Sequence, residues 1–354
     1  MTREELEAAV RKAEVIRGVA LPGAALRGAR LAGGIFENVD FTRADLAGAE
    51  FRESILSGCR FNGARLGGAS FAQAVLTQCV FERSSAPRLR LVGVQAGGCD
   101  FSNADLTEAD LTTGSLARCD LEGARLSGAV LKEAALMECR TLGLALSGAT
   151  LEGTVMIQPD LRRSALDGTR FLRTSLIKAN FAGCDLRGIV LPVCQLLGAD
   201  LSGCDLSQAD LRQSGFSDAI LEAARLDGAR LPQTVLMKAR LAGASLRGAD
   251  LSQATMSEAD ATGADFTGAR LYQTIAVKLK APGARFTNAD LTYADFSHAD
   301  VERADFGGAT FSRTTLHEIR DERANISSRR GVLPPDEDRL VSDRWHGRWQ
   351  AQRS

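Results

Sequence analysis

Histidine is nearly absent from this chain: 354 residues contain three, at positions 298, 317 and 346. A Ser-His-Asp or Cys-His constellation has little to draw on, and His298 reads as an outward turn residue. Aromatic residues are few, with 15 Phe, 2 Trp and 2 Tyr. No run of about 20 apolar residues exists to span a bilayer as a helix. Neither sign of charge is in excess, at 43 Lys plus Arg against 44 Asp plus Glu. That balance excludes a polybasic nucleic-acid binder or a membrane-surface protein. No Gly-rich phosphate loop and no CxxC pair occur, so no cofactor and no metal are expected. The first residues, MTREELEAAVRKAEVIRG, are too charged for a signal peptide. The expected compartment is the cytoplasm, where eight cysteines remain thiols; export by a route that needs no signal peptide is the alternative.

What is present is a period. All fifteen phenylalanines, from Phe36 to Phe311, have numbers ending in 1 or 6. Leucine fills most other positions of that series, called i here. The series runs unbroken through 60 copies from Leu21 to Leu316. It is interrupted in kind only at Ala86, Ala96, Thr141, Ala261, Ala276 and Ala281. Position i−2 is small, as at Ala44, Ala104 and Ala249, and all eight cysteines sit there. Residues two apart on an extended chain point the same way, so i−2 and i both face inward. Positions i−1, i+1 and i+2 carry the Asp, Arg, Ser, Thr and Gly of an outer face and a corner. A period of five suits a very short strand and a corner, repeated. Larger neighbours compensate the small core residues: Leu89 and Val94 accompany Ala86 and Ala96, Leu144 follows Thr141, and Leu279 follows Ala276.

A second period lies over the first. Sorted by number modulo 20, three columns of i−1 residues are charged at 11, 10 and 10 of 15 positions. The fourth, which includes Ile35, Ile55, Val75, Val155, Val235 and Ile275, carries a single charge, Asp295. Such sorting requires every fourth pentapeptide to stack on one face, and hence four pentapeptides per coil.

Copies such as Ala104-Asp105-Leu106, Ala209-Asp210-Leu211 and Ala289-Asp290-Leu291 resemble the A(D/N)LXX pattern of the pentapeptide-repeat family. The resemblance covers about residues 19–318. It implies an all-β fold, a right-handed quadrilateral β-helix with stacked Leu and Phe along its axis. Sixty copies make about 15 coils, roughly 70 Å at a strand spacing of about 4.8 Å. An open solenoid needs capped ends. Residues 1–18 are expected to form an N-terminal cap, with a helix over 2–17, a capping box of Thr2 with Glu5 and an apolar stripe of Leu6, Val10, Ala13 and Ile16. Residues 319–354 form a non-repeat C-terminal cap or tail, with a short helix expected at 336–350. Val341, Trp345 and Trp349 would share one face of that helix, as a cap or as a docking peptide.

The uncharged column has an outward neighbour column at i+1. Together they present Met137, Val155, Ile157, Ile177, Leu197, Val235, Met237, Ile275 and Val277. An apolar strip of this kind on a soluble protein marks an interface. The expected function is therefore a non-enzymatic scaffold, bound to another protein, to a second copy or to its own tail. The resemblance implies two alternatives. Some family members imitate a DNA rod and bind type II topoisomerases, but that needs a strongly negative surface. Here Asp and Arg alternate down the same columns, as in Asp105 and Arg125 or Asp205 and Arg225; only Asp290, Asp295, Asp300 and Asp305 form a locally acidic end. Other members serve as secreted effectors or accessories of secretion machinery.

Overall fold

The computed structural model describes residues 1–334 and Glu337. The described chain forms two compact units. The first holds residues 1–184 and 190–200; the second holds 185–189 and 201 onward.

The first unit is a parallel β-solenoid with one helix, α1 (Arg3–Arg11), ahead of it. Thr2 caps α1: its hydroxyl accepts from the Glu5 N–H, and the Glu5 carboxylate accepts from the Thr2 N–H. Two of four orphan donors are thereby satisfied. The helix is shorter than the expected 2–17. Lys12 ends it and Ala13 turns left-handed at φ 55°. Leu6 and Ala9 are its buried residues, whereas Ala13 is exposed. Ile16 is buried for another reason: it lies in a strand, in register with Phe36. Strand pairing takes this stretch from the helix, and the stacked repeat begins one pentapeptide earlier than the leucine series shows.

Nine three-residue strands stack in one parallel sheet. They are β1 (Val15–Arg17), β2 (Ile35–Glu37), β3 (Ile55–Ser57), β4 (Val75–Thr77), β5 (Gln95–Gly97), β6 (Ser115–Ala117), β7 (Ala135–Met137), β9 (Val155–Ile157) and β11 (Ser175–Ile177). All pair in a single register, Ile16 with Phe36, Phe36 with Leu56 and so on up the stack, so that each step advances the chain by one coil. β8 (Thr150–Glu152) and β10 (Arg170–Leu172) form a second pair with the same register. The ladder strands account for fewer coils than the expected 15; the other sides of the same coils meet through single bridges such as Asp40↔Arg60 and Asp45↔Arg65.

One pentapeptide shows why the sequence repeats as it does. In Phe41–Asp45 the N–H groups of Phe41 and Arg43 donate forward to Arg60 O and Asn62 O, at 2.7 and 2.9 Å. Asp45 N–H donates back to Ala24 O at 2.9 Å, and Ala44 N–H closes the corner onto Phe41 O at 2.9 Å. The fifth, Thr42 N–H, has no backbone partner in this set and donates to Asp40 Oδ1 at 3.0 Å. Every donor is satisfied, as buried or corner backbone requires. Where a repeat carries an outward Asp, as at Asp40, Asp45, Asp100 and Asp290, that residue is a corner cap of the Asx-turn kind. Position i+2 takes a left-handed φ, 56° at Arg43 and 65° at Gly123, which is why so many glycines fall in this column.

The second unit repeats these contacts. Leu291 and Tyr293 N–H donate to Thr310 and Ser312 O, Asp295 N–H to Thr274 O, and Thr292 N–H to Asp290 Oδ1. Among its described residues the same coil register is carried by single bridges, including Gly215↔Val235↔Thr255↔Ile275↔Asp295. Pairing passes beyond Leu316, where the repeat pattern fades in sequence, through Asp300↔Arg320 and Asp305↔Asn325.

The cores are stacks of like side chains. Phe41, Phe61, Phe81 and Phe101 lie face over face with centroids 5.0, 4.6 and 4.7 Å apart. Phe266, Phe286 and Phe306 do the same in the second unit at 4.9 and 4.7 Å. The compensations expected at the small core positions are present: Leu89, Val94, Leu144 and Leu279 are all buried. Thr141 satisfies its hydroxyl on Asp160 O at 3.0 Å. Cys59, Cys79, Cys99, Cys119 and Cys139 stack as buried thiols, each with its Sγ against a backbone carbonyl, as Cys79 against Leu56 O at 3.5 Å.

Candidate functional site

The strands of the nine-stranded sheet each bury their central residue and turn the flanking two outward. Its outer face is therefore two parallel columns. One runs Val15, Ile35, Ile55, Val75, Gln95, Ser115, Ala135, Val155, Ser175; the other runs Arg17, Glu37, Ser57, Thr77, Gly97, Ala117, Met137, Ile157, Ile177. Charge occurs only at the first step, where Arg17 and Glu37 pair at 2.6 Å. From β3 to β11 the outward residues carry none.

Of the residues expected at an interface, Met137, Val155, Ile157 and Ile177 lie half-buried on this sheet. Leu197, next in the same i+1 column, is 44% exposed and its carbonyl accepts from the Lys178 N–H. Val235, Met237, Ile275 and Val277 belong to the second unit. Val235 and Ile275 are bridged through Thr255, and Ile275 is 46% exposed. Val341, Trp345 and Trp349 lie outside the described residues, as does most of the helix expected at 336–350.

The face extends further than the expected strip. Val15, Ile35, Ile55 and Val75 form an unbroken apolar ladder over β1–β4, and Ile55 is 50% exposed. The modulo-20 column already contains three of these residues. The requirement that the i+1 column also be apolar hid them, since Ser57 and Thr77 are polar. Between the ladder and Met137 the side chains shorten at Gly97, Ser115 and Ala117, leaving a shallow depression bordered by Val75, Thr77 and Gln95.

The other columns are charged and internally paired. In the first unit Arg60 meets Asp40 at 2.9 Å and Arg140 meets Asp120 at 2.9 Å, each pair joining successive coils. In the second, Arg320 meets Asp300 at 3.1 Å and Arg285 meets Asp265 at 3.6 Å. Such exposed pairs add little stability. Hydrogen bonds hold several corner carboxyls below their ordinary range: Asp40 chiefly through the Thr42 hydroxyl, Asp205 through the Ser207 hydroxyl, and Asp305 through the Gly307 N–H. Burial pushes the Cys194 thiol up to about 11.

A second cluster emerges where the sequence showed only scattered histidines. His298 and Glu318 hold equivalent positions of successive coils in one corner column, and His317 precedes Glu318. One ligand-capable atom from each lies within 4.8 Å of the others. Sorting modulo 20, applied to position i+2, is the signal that would have paired positions 298 and 318.

The repeats match the family description "Pentapeptide repeats" in eight segments: 23–58, 59–94, 88–113, 115–156, 160–191, 194–233, 234–274 and 279–308. The chain belongs to the pentapeptide-repeat family. Similar solved structures include HetL, a pentapeptide repeat protein involved in heterocyst differentiation regulation from the cyanobacterium Nostoc. It is 22% identical, with 77% of this chain and 91% of HetL covered and a TM-score of 0.26. QnrB1, a plasmid-mediated fluoroquinolone resistance protein, is 20% identical over 61% of this chain and 95% of its own, with a TM-score of 0.28. A pentapeptide repeat protein of the Arabidopsis thaliana thylakoid lumen is 22% identical over 46% and 75%, with a TM-score of 0.12. No curated protein matches the chain. Family membership rests on the repeats; the superpositions are too loose to transfer any role. Among the described residues no helix is long and apolar enough to cross a membrane.

Proposed function

We propose that this pentapeptide-repeat protein is a non-enzymatic interaction scaffold that engages a protein partner through the uncharged face of its nine-stranded sheet. One observation carries this reading. From β3 to β11 the outward columns of that sheet hold no charge, although the other columns of the same solenoid are studded with Asp and Arg. Flat, pre-ordered and partly apolar, such a face loses little entropy on binding and excludes water from Ile55, Val75, Met137, Ile157 and Ile177. A second copy of the chain is one occupant that fits; another protein with an apolar, uncharged surface is the other. Imitation of DNA is disfavoured by the column ion pairs, which leave no sustained negative field.

The test is the triple substitution Ile157→Lys, Ile177→Glu and Leu197→Lys. All three side chains lie outside the core, where substitutions cost little stability. At an interface they would bury unpaired charge, which costs far more. Light scattering and partner capture should show lost association with a nearly unchanged melt. Unaltered association with an unchanged melt would rule this face out. A gyrase supercoiling assay that responds to the wild-type protein would favour the DNA-mimic reading instead.

A further inference from the structure

We propose that His298, His317 and Glu318 form a binding site for a single divalent zinc-class ion on the second unit. The backbone sets up the site. His298 and Glu318 occupy the left-handed corner position of successive coils, at φ 60° and 48°, so both side chains leave the same corner one strand spacing apart. His317 is held deeper, at 4% exposure, and its carbonyl accepts from the His298 N–H at 2.7 Å. The two imidazoles meet edge to face, with centroids 5.4 Å apart and planes at 89°. His298 Nδ1 stands 3.5 Å from Glu318 Oε2.

Two imidazoles and one carboxylate are a donor set suited to zinc, with a fourth tetrahedral position left for water. Zinc bonds of about 2.0–2.1 Å place neighbouring donors about 3.3 Å apart. The His298–Glu318 pair is already near that distance, and the whole set lies within 4.8 Å. The side chains of His298 and Glu318 are 24% and 38% exposed, whereas His317 is buried and would be the more fixed ligand. Lys278 precedes His298 by one coil in the same column and is exposed, so its flexible stem can carry the ammonium away from the ion. A bound ion would clip the coil carrying His298 to the coil carrying His317, close to where the leucine series ends. Its role would then be to fasten this end of the solenoid, independently of the sheet face in the first unit.

The experiment uses the full chain, stripped with a chelator and titrated with Zn²⁺ by calorimetry and with Co²⁺ by absorption spectroscopy. Expected are one ion per chain and a cobalt spectrum of nitrogen and oxygen ligation without thiolate charge transfer. His298→Ala and Glu318→Gln, both at corner positions, should each weaken binding at least about tenfold. Hydrogen exchange across residues 298–320 should slow on adding Zn²⁺ in the wild type and not in His298→Ala. His346→Ala should bind as the wild type does. Absence of saturable uptake, uptake that survives His298→Ala or Glu318→Gln, a thiolate charge-transfer band, or loss of binding in His346→Ala alone would each overturn the site.

Discussion

The two units solve one folding problem with the same corners but different edges. In the first, one face is a continuous ladder of three-residue strands; in the second, the described residues of the corresponding column meet through single bridges. Intrinsic propensity does not explain the difference. Gln95-Ala96-Gly97 is a poor strand sequence and is extended, whereas Val235-Leu236-Met237 is a good one and makes an isolated bridge. β5 is flanked in register by β4 and β6, and Val235 is flanked in the same way by Gly215 and Thr255. Among the described residues, only the first unit carries its uncharged column as a continuous strand ladder.

The harshest way to test whether the units share one core logic is to place a charge on each axis. Leu106→Asp in the first and Leu206→Asp in the second each put an unpartnered carboxylate at a fully enclosed site, at several kcal/mol. Both should abolish cooperative melting and expose the affected unit to protease. Retained melting in either would mean that its register is wrong.

Next in size are the aromatic stacks. Phe81→Ala, between two stacked rings, should cost about 3–5 kcal/mol, and Phe286→Ala should cost the same in the second unit. Denaturant titration compares them. Equal losses would show that the strand ladder adds nothing to core strength; a larger loss at Phe81 would show that the ladder adds cooperativity.

A sharper contrast concerns binding. Beside the Ile157, Ile177 and Leu197 triple, the pair Val235→Lys and Met237→Glu charges the equivalent columns of the second unit. Association should fall with the first set and persist with the second. The reverse result would move the interface to the second unit.

The smallest effect is on acid stability and should be alike in both units. Asp40, Asp205 and Asp305 have folded pKa values below the ordinary carboxyl value. Their contribution is therefore fully present above about pH 4 and is lost as pH falls through the lowered folded values. Asp40→Asn keeps an acceptor for the Thr42 N–H but cannot ionise, and should flatten this part of the acid curve. Melts recorded from pH 6 to pH 2 would show it; identical curves for wild type and variant would remove the corner carboxyl from the account.

The fold was legible in sequence to a high degree because a five-residue corner permits so few choices. Phe, Leu and small residues at fixed offsets name their own side of the wall, and the Asp of the repeat turns out to satisfy the one corner N–H that lacks a backbone partner. The candidate site was half legible. The uncharged column stood out, but Val15 lies before the leucine series begins, and Ile55 and Val75 were masked by polar partners in the adjoining column. The N-terminal helix misled for a related reason: Val10, Ala13 and Ile16 are spaced as a helix would space them, yet pairing with β2 claims Ile16 for a strand.

Sequence alone determined the repeat phase, the inward and outward residues, and the coil of four pentapeptides, since each follows from a periodic pattern of size and polarity. Tertiary structure alone decided three things. It ended α1 at Arg11, because an available strand edge displaced the remaining helical turns. It made one column of the first unit a continuous sheet, Gln95-Ala96-Gly97 included, where propensity alone would not. It brought His298 to His317 and Glu318, because coiling sets side by side what the chain keeps apart.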